Sequence, residues 1–261
     1  MLKLTSRNND KIKQTVKLCA DSSERKRTGC FFLEGLRLCC DAALNGHIAE
    51  TVFVTENALD NHGDELKVLL DSAKEAFVIT EEISLKLSDT KNPQGVFCIC
   101  KTLDKFNNID KIKYNGIYIA LENVQTPGNL GAVARTAEAL GLDGMIVSGG
   151  CDIYNPKALR AAMGSLLRLD IISVDDLPAF LKDCESKGMK TYAAVPDASA
   201  LPVTQMDRSG GVICAVGNEG NGLSEKVISS CCDSITIPMK GRAESLNAAS
   251  AACVIMWEMV R

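Results

Sequence analysis

Three widely separated glycine-bearing segments of this 261-residue chain carry the residue types that can hold a polar ligand and stabilise charge on it. The first reads Glu122-Asn-Val-Gln-Thr-Pro-Gly-Asn-Leu-Gly-Ala-Val-Ala-Arg-Thr-Ala, with Gly128, Asn129 and Gly131 opening a predicted helix that also holds Arg135. Glycines at that point let the backbone approach a ligand, and a helix N-terminus attracts anions such as phosphate. The same glycines would equally serve to pack a helix on a sheet, and the pattern is not the dinucleotide-binding fingerprint. The second segment, Gly217-Asn-Glu-Gly-Asn-Gly-Leu-Ser224, places three glycines around the carboxylate of Glu219. It exposes many backbone N–H and C=O groups suited to a planar or polar ligand, while Ser224 reads as the cap of the next helix. The third, Ile235-Thr-Ile-Pro-Met-Lys-Gly-Arg-Ala-Glu-Ser-Leu-Asn247, runs into an apolar helix, Ala248–Val260. Pro238 removes a backbone donor and forces the strand to end. Ser245 and Asn247 follow; capping accounts for one of them, so the pair is expected to face a common cleft.

The elements that must position these segments follow from periodicity. Upstream, helices are expected near 10–20, 35–45, 64–74 and 81–87, with strands at Cys30–Leu33, Thr51–Thr55, 76–79 and Val96–Cys100. A polar, lysine-rich stretch at 102–114 reads as a linker. Downstream, strands at Gly116–Leu121, 144–148, Ile171–Val174, Lys190–Val195, Val212–Val216 and Ser234–Ile237 are separated by helical segments at 129–140, 156–164, 176–187 and 223–230, and a last helix spans 244–260. Strands without hairpin turns imply a parallel sheet covered on both faces, with loops converging at its carboxyl edge. The domains expected are thus 1–101, a linker at 102–114, and 115–261.

Composition narrows the class. The chain is 46% apolar, ample for packed cores. It has no 18-residue apolar run, and its N-terminus, MLKLTSRNNDKIKQ, is too polar for a secretory signal; a cytoplasmic protein without a membrane span is expected. The twelve cysteines are scattered and often inside apolar runs, so buried free thiols are expected rather than disulfides. With only His47 and His62 as imidazoles, no metal site is expected. The net charge of −4 argues against non-specific nucleic-acid binding as the main activity. Lys3–Arg27 nevertheless carries eight cations against three acids, as a solvated helix face or as a phosphate-contacting arm.

The segments GNLGAVARTAEALG, GNEGNGLS and IPMKGRAESLNAASAA resemble, in order and spacing, the three sequence motifs of the SpoU (TrmH) family of RNA ribose methyltransferases within the SPOUT superfamily. NPKALRAAMGSLLRL is similar to a stretch found in its ribosomal-RNA branch, and FFLEGLRLCCDAAL with SDTKNPQGVF resembles its substrate-binding domain. The resemblance implies an α/β fold: a C-terminal parallel-sheet SPOUT domain with a deep trefoil knot, preceded by a small α/β ribosomal-protein-like (L30e-like) domain. It implies S-adenosyl-L-methionine as methyl donor, held by Gly217, Ile237, Met239, Leu246 and Asn247, and catalysis by Asn129, Arg135, Glu219, Ser245 and Asn247. Arg135 would assist deprotonation of a ribose 2′-hydroxyl; because guanidinium stays protonated, stabilisation of the developing alkoxide is the alternative role. Asn129 and Glu219 would orient Arg135 or the ribose. A homodimer is implied, in which the first motif of one subunit completes the site of the other. The added N-terminal domain points to large-subunit ribosomal RNA as substrate, with transfer RNA as the alternative. A non-catalytic RNA-binding paralogue would have lost Arg135, Glu219 or Asn247, and all are present. An oxidoreductase would need the glycine fingerprint after its first strand.

Overall fold

Strand and helix boundaries in the first part of the chain fall where small polar side chains intercept free helix N–H groups. In the computed structural model, which describes residues 1–102 and 109–261, these elements are β1 (Leu2–Leu4), α1 (Asp10–Ala20), α2 (Ser22–Thr28), β2 (Cys30–Glu34) and α3 (Leu36–Leu44), then β3 (Ala49–Thr55), α4 (Glu56–Ser72), β4 (Glu75–Ile79), α5 (Glu81–Leu87) and β5 (Val96–Lys101). Asn9, Asp21, Thr55 and Thr80 each accept a backbone N–H at the start of the following helix. The sheet order is β1-β4-β3-β5-β2, with β5 antiparallel to both β3 and β2 and the other pairs parallel. Phe53 stands opposite Phe77 on one side and Phe97 on the other. With Phe32, Ile12, Leu18 and Ile83 these rings form the core that α1 and α5 cover. Neither β1 nor α2 was expected from the sequence: β1 is a three-residue edge strand, and α2 is rich in charge.

The linker expected at 102–114 includes residues 103–108, which lie outside the described residues; Ile109–Lys111 make a single 3-10 turn. Beyond it come β6 (Ile117–Glu122), α6 (Pro127–Ala139), β7 (Gly144–Ser148), α7 (Pro156–Ala162), α8 (Ser165–Arg168), β8 (Ile171–Ser173) and α9 (Leu177–Ser186). They are followed by β9 (Lys190–Ala194), β10 (Leu201–Pro202), β11 (Val212–Val216), α10 (Glu225–Ile228), β12 (Asp233–Thr236) and α11 (Ala248–Val260). The seven strands form one parallel sheet in the order β10-β12-β9-β11-β6-β7-β8. Helix α11 packs on α6 and lies over β6 and β11. The two-residue β10 carries too short a pattern to be read from the sequence.

The chain divides into two compact units whose described residues are 1–102 with 152–167, and 109–151 with 168–261. Residues 152–167 therefore belong spatially with the first unit, although they interrupt the second in sequence. The reason is specific contact: Tyr154 stacks on Phe31 with ring centroids 4.7 Å apart, α7 packs on β2, and Asp152 pairs with Arg25 at 2.6 Å. The Arg25 side chain is 4% exposed and also donates to the carbonyls of Leu18 and Cys19. Removing the counter-charge of a buried guanidinium is strongly destabilising. Asp152→Ala should lower unfolding stability by about 3 kcal/mol, measured by denaturant titration; a change under about 0.5 kcal/mol would contradict this account.

Most of the basic N-terminal segment is neutralised within the unit. Lys3, Lys11, Lys13, Lys17, Arg25 and Arg27 pair with Glu56, Glu75, Asp10, Glu24, Asp152 and Glu24. Arg7 and Lys26 make no ion pair among the described residues. All twelve cysteines are free. Among the described residues no helix is long and apolar enough to cross a membrane, and no group of three His, Cys, Asp or Glu could hold a metal ion.

Candidate active site

The carboxyl edge of the parallel sheet gathers the loops after β6, β11 and β12, and a continuous hydrogen-bonded chain joins them. Glu219, in the loop after β11, accepts from the backbone N–H groups of Gln125 (3.1 Å) and Thr126 (3.0 Å) and from the side-chain amide of Asn129 (2.8 Å). The Asn129 carbonyl oxygen in turn accepts from Asn247 Nδ2 at 3.2 Å. Asn247 is the N-cap of α11, its Oδ1 accepting from Ala249 N (2.9 Å) and Ser250 N (3.3 Å). A carboxylate can only accept and helix N–H groups can only donate, so the two ends of the chain fix the orientation of both asparagine amides. Residues from all three sequence motifs are thereby locked in one corner.

Helix α6 lacks a side-chain cap of its own at Thr126. Glu219 instead accepts from the two backbone N–H groups just before the helix, where its negative charge also meets the positive end of the helix. Desolvation opposes ionisation of Glu219, but the hydrogen bonds from Gln125, Asn129 and Thr126 outweigh it and hold the carboxyl at about 2. The loop that carries Glu219 is itself clamped. Asn218 and Gly222 form an antiparallel bridge, and a Cβ on Gly217 would come within 2.1 Å of Gly222 C, so that position must be glycine. Asn218 Nδ2 donates to the carbonyl of Asn123, and Glu122 accepts from both N and Oγ of Ser224. Ser224 also caps α10, as expected.

The structure brings Asn129, Glu219 and Asn247 together and leaves other expected residues apart from that chain. Glu219 spends both oxygens on Gln125, Thr126 and Asn129 and makes no hydrogen bond or ion pair with Arg135 among the described residues. Arg135 is exposed on α6 and makes no hydrogen bond or ion pair among the described residues. Six residues beyond Asn129 correspond to about 9 Å of rise and about 120° of rotation, which turns it away from the Asn129 side chain. Ser245 is exposed and has no hydrogen bond among the described residues. Gly217 follows β11 and Ile237 follows β12, the two strands that flank β9. Glu122, Asn123 and Asn218 were not picked out from the sequence. Their signal was slight: a Glu-Asn pair at a strand end, Asn123 adopting a left-handed φ of 52°.

The residues present fit a bound nucleoside-type cofactor. From Pro238 to Leu246 no backbone group makes a hydrogen bond among the described residues, so this segment offers free N–H and C=O groups, and Met239 and Leu246 add exposed apolar side chains. Backbone groups beside apolar side chains suit a ligand with a polar edge and an apolar body. By contrast, a cavity of about 260 Å³ in the first unit, floored by Phe53 and Ile99, has its charged rim of Lys11, Glu24, Arg27 and Glu75 joined in ion pairs and holds none of these residues.

The architecture defines an α/β domain with this corner, the candidate site, at the carboxyl edge of a parallel sheet. Residues 116–257 match the SpoU rRNA Methylase family and residues 9–98 match the MRM3-like substrate binding domain; the chain belongs to the SpoU rRNA methylase family. It is 28% identical to the 23S rRNA (guanosine(2553)-2'-O)-methyltransferase RlmP of Bacillus subtilis, over 99% of both chains. It is likewise 28% identical to the 23S rRNA (uridine(2479)-2'-O)-methyltransferase of Streptomyces viridochromogenes, over 99% of this chain and 92% of that one. Its fold superposes on an AdoMet-bound rRNA methyltransferase from Sinorhizobium meliloti with a TM-score of 0.86 and 27% identity, covering 98% of this chain and 96% of that one.

Proposed function

We propose that this protein transfers a methyl group from S-adenosyl-L-methionine to a ribose 2′-hydroxyl of large-subunit ribosomal RNA, acting as a cytoplasmic homodimer. The observation that carries the reading is the Glu219–Asn129–Asn247 chain, which unites the three motifs at one corner beside a segment of free backbone groups. Full-length similarity to two 23S rRNA 2′-O-methyltransferases favours ribosomal over transfer RNA.

Gly217, Ile237, Met239, Leu246 and Asn247 would hold the cofactor. Bound S-adenosyl-L-methionine supplies a methyl group already activated by its sulfonium. What remains for the protein is to align a ribose oxygen with that methyl and to manage its proton. Asn129 and Asn247 lie at the corner where the ribose would sit, held in fixed orientation by Glu219 and α11. Ser245, with no hydrogen bond in the described fold, is available to the ribose. Arg135 provides a permanent positive charge for the developing alkoxide. Since it faces away from Asn129 on its own helix, the reading assigns it to the site of the other subunit.

A dimer face is at hand on α11, where Val254 and Trp257, three residues apart, are 39% and 56% exposed. Trp257→Glu should weaken dimerisation at least about 30-fold, measured by light scattering across a concentration series, with methyl transfer falling in parallel. An unchanged dimer would remove this face from consideration. The deep trefoil knot, in which the C-terminal segment threads a loop, is supported by α11 lying over the adjacent strands β6 and β11 with its cap joined to Asn129. The cytoplasm is supported by twelve free thiols.

The decisive experiment is transfer of labelled methyl from S-adenosyl-L-methionine to unmodified 23S rRNA and, separately, to transfer-RNA transcripts, followed by mapping of 2′-O-methyl ribose. Incorporation into one 23S position is expected. Exclusive labelling of transfer RNA, or of bases, would overturn the proposal.

A further inference from the structure

Glu219 can hold Asn129 only if the loop that carries it keeps its place over the start of α6. Its three hydrogen bonds there lie at 2.8–3.1 Å, and a slip of about 1 Å would carry them past the limit of about 3.2 Å. The residues on either side of Glu219 in that loop are tied to the end of β6. On one side, Asn218 Nδ2 donates to the Asn123 carbonyl at 2.9 Å, while Asn218 Oδ1 accepts from Gly220 N (2.8 Å) and Asn221 N (3.1 Å). On the other, the two oxygens of Glu122 accept from Ser224 N and Oγ, each at 2.7 Å. Ser224 Oγ also accepts from Val227 N at 3.3 Å, so one hydroxyl serves both the cap of α10 and the tie to β6.

The anchoring end is constrained in its own right. Asn123 holds a φ of 52°, and among the described residues only Met163 shares a left-handed backbone outside glycine. That conformation costs free energy, though asparagine tolerates it better than most residues, and it persists because the surroundings fix it. Asn123 N donates to the Ser148 carbonyl and Cys151 N to the Val124 carbonyl, both at 2.8 Å. A Cβ on Gly149 would collide with Asn123 Oδ1, and one on Gly150 with the Val124 carbonyl oxygen, so the end of β7 closes on this turn without side chains. The turn after β6 is thus held against β7 on one flank and presents the Asn123 carbonyl and the Glu122 carboxylate to the loop after β11 on the other.

We infer that Asn218 and Glu122 are positioning residues for methyl transfer, holding the loop after β11 at the end of β6 so that Glu219 stays in register with Asn129. The inference rests on the reading of the Glu219–Asn129–Asn247 corner as the methyl-transfer site. Each of the two side chains acts on the reaction through Glu219. Such a role is separable from a general contribution to stability, because an effect carried by Glu219 disappears once Glu219 itself has been changed.

The test is single-turnover methyl transfer by the full chain to an unmodified 23S rRNA transcript, in two double-mutant cycles. Asn218→Asp keeps the acceptor for Gly220 and Asn221 and removes the donor to Asn123, and should slow transfer about 5- to 30-fold. Glu122→Gln offers one oxygen to the two donors of Ser224 and should slow transfer about 3- to 10-fold. Affinity for S-adenosyl-L-methionine should stay within about threefold and Tm within about 4 °C, because the backbone bridge between Asn218 and Gly222, beside Gly217, is untouched. In a Glu219→Gln background each substitution should slow transfer by a further factor below about two. Factors that multiply in full in either cycle would overturn the inference. Asn218→Asp adds a negative charge and Glu122→Gln removes one, so coupling seen with only one of them would reduce to a charge effect and overturn it as well. Near-wild-type transfer by Glu219→Gln alone would defeat the reading of the corner and this inference with it. Multiplying factors on a strongly impaired Glu219→Gln would defeat the inference and leave that reading in place.

Discussion

Arg135→Ala is expected to lower methyl transfer by about 10²- to 10⁴-fold in kcat/KM while leaving S-adenosyl-L-methionine affinity within about threefold. The magnitude is what a single group loses when it is the only fixed charge facing a developing oxyanion. Selectivity comes from placement: the groups assigned to the cofactor lie at Gly217 and along 237–247, whereas Arg135 is on the exposed side of α6. The fold should not respond, because Arg135 has no hydrogen bond or ion pair among the described residues to lose; Tm should stay within about 1 °C. Titration calorimetry with the cofactor and single-turnover transfer to 23S rRNA separate the two properties. Lost cofactor affinity with normal turnover would contradict the role. Mixing Arg135→Ala subunits with subunits carrying Asn247→Ala should restore partial activity if each site draws on both chains, since one of the two sites in a mixed dimer would then be intact.

Glu219→Gln should cost roughly 10- to 100-fold in turnover, for a different reason. The carboxylate accepts from two backbone N–H groups and one amide, and glutamine offers only one oxygen, so at least one donor must face an NH2 group. The start of α6 then loosens, and Asn129 loses the partner that fixes its orientation toward Asn247. The effect on stability should depend on pH in a defined direction. The folded carboxyl is held at about 2 against an ordinary value of 4.5, so its stabilising contribution is complete above about 4.5 and is lost as pH falls toward 2. Wild type should therefore be more stable than Glu219→Gln at pH 7, with the gap shrinking in denaturant melts at pH 4 and 3. A gap that widened on acidification would show that Glu219 is not held ionised by these hydrogen bonds. Over pH 5–9 Glu219 should add no limb to the activity profile, because it stays ionised throughout.

Much of this protein was legible in its residues because the signals are local. Capping by Ser224, the break at Pro238 and the apolar run of Ala248–Val260 each act over a few positions, and period-2 and period-3.6 patterns mark most elements to within a few residues. The motif spacing likewise pointed to Glu219 and Asn247, and the structure places Asn247 both as the cap of α11 and in the hydrogen-bonded chain with Asn129. Short elements were not legible: β1 and β10 are held by pairing with β4 and β12, and not by any pattern of their own. Strand direction in the first sheet was equally hidden, since β5 runs antiparallel to both neighbours without a hairpin to announce it.

What only the tertiary structure decided is partnership. Residues alone marked Glu219 as a lone carboxylate among glycines; the fold makes it the acceptor for a helix start more than 90 residues earlier and turns Arg135 away from it. In the same way, 156–164 read as one more helix of the parallel domain, yet Tyr154 on Phe31 and Asp152 on Arg25 draw it into the first unit. Periodicity and capping are written in neighbouring residues because the forces behind them reach one or two turns. A hydrogen bond or ion pair across a hundred residues leaves no trace in either local stretch, and exists only once packing has brought the two together.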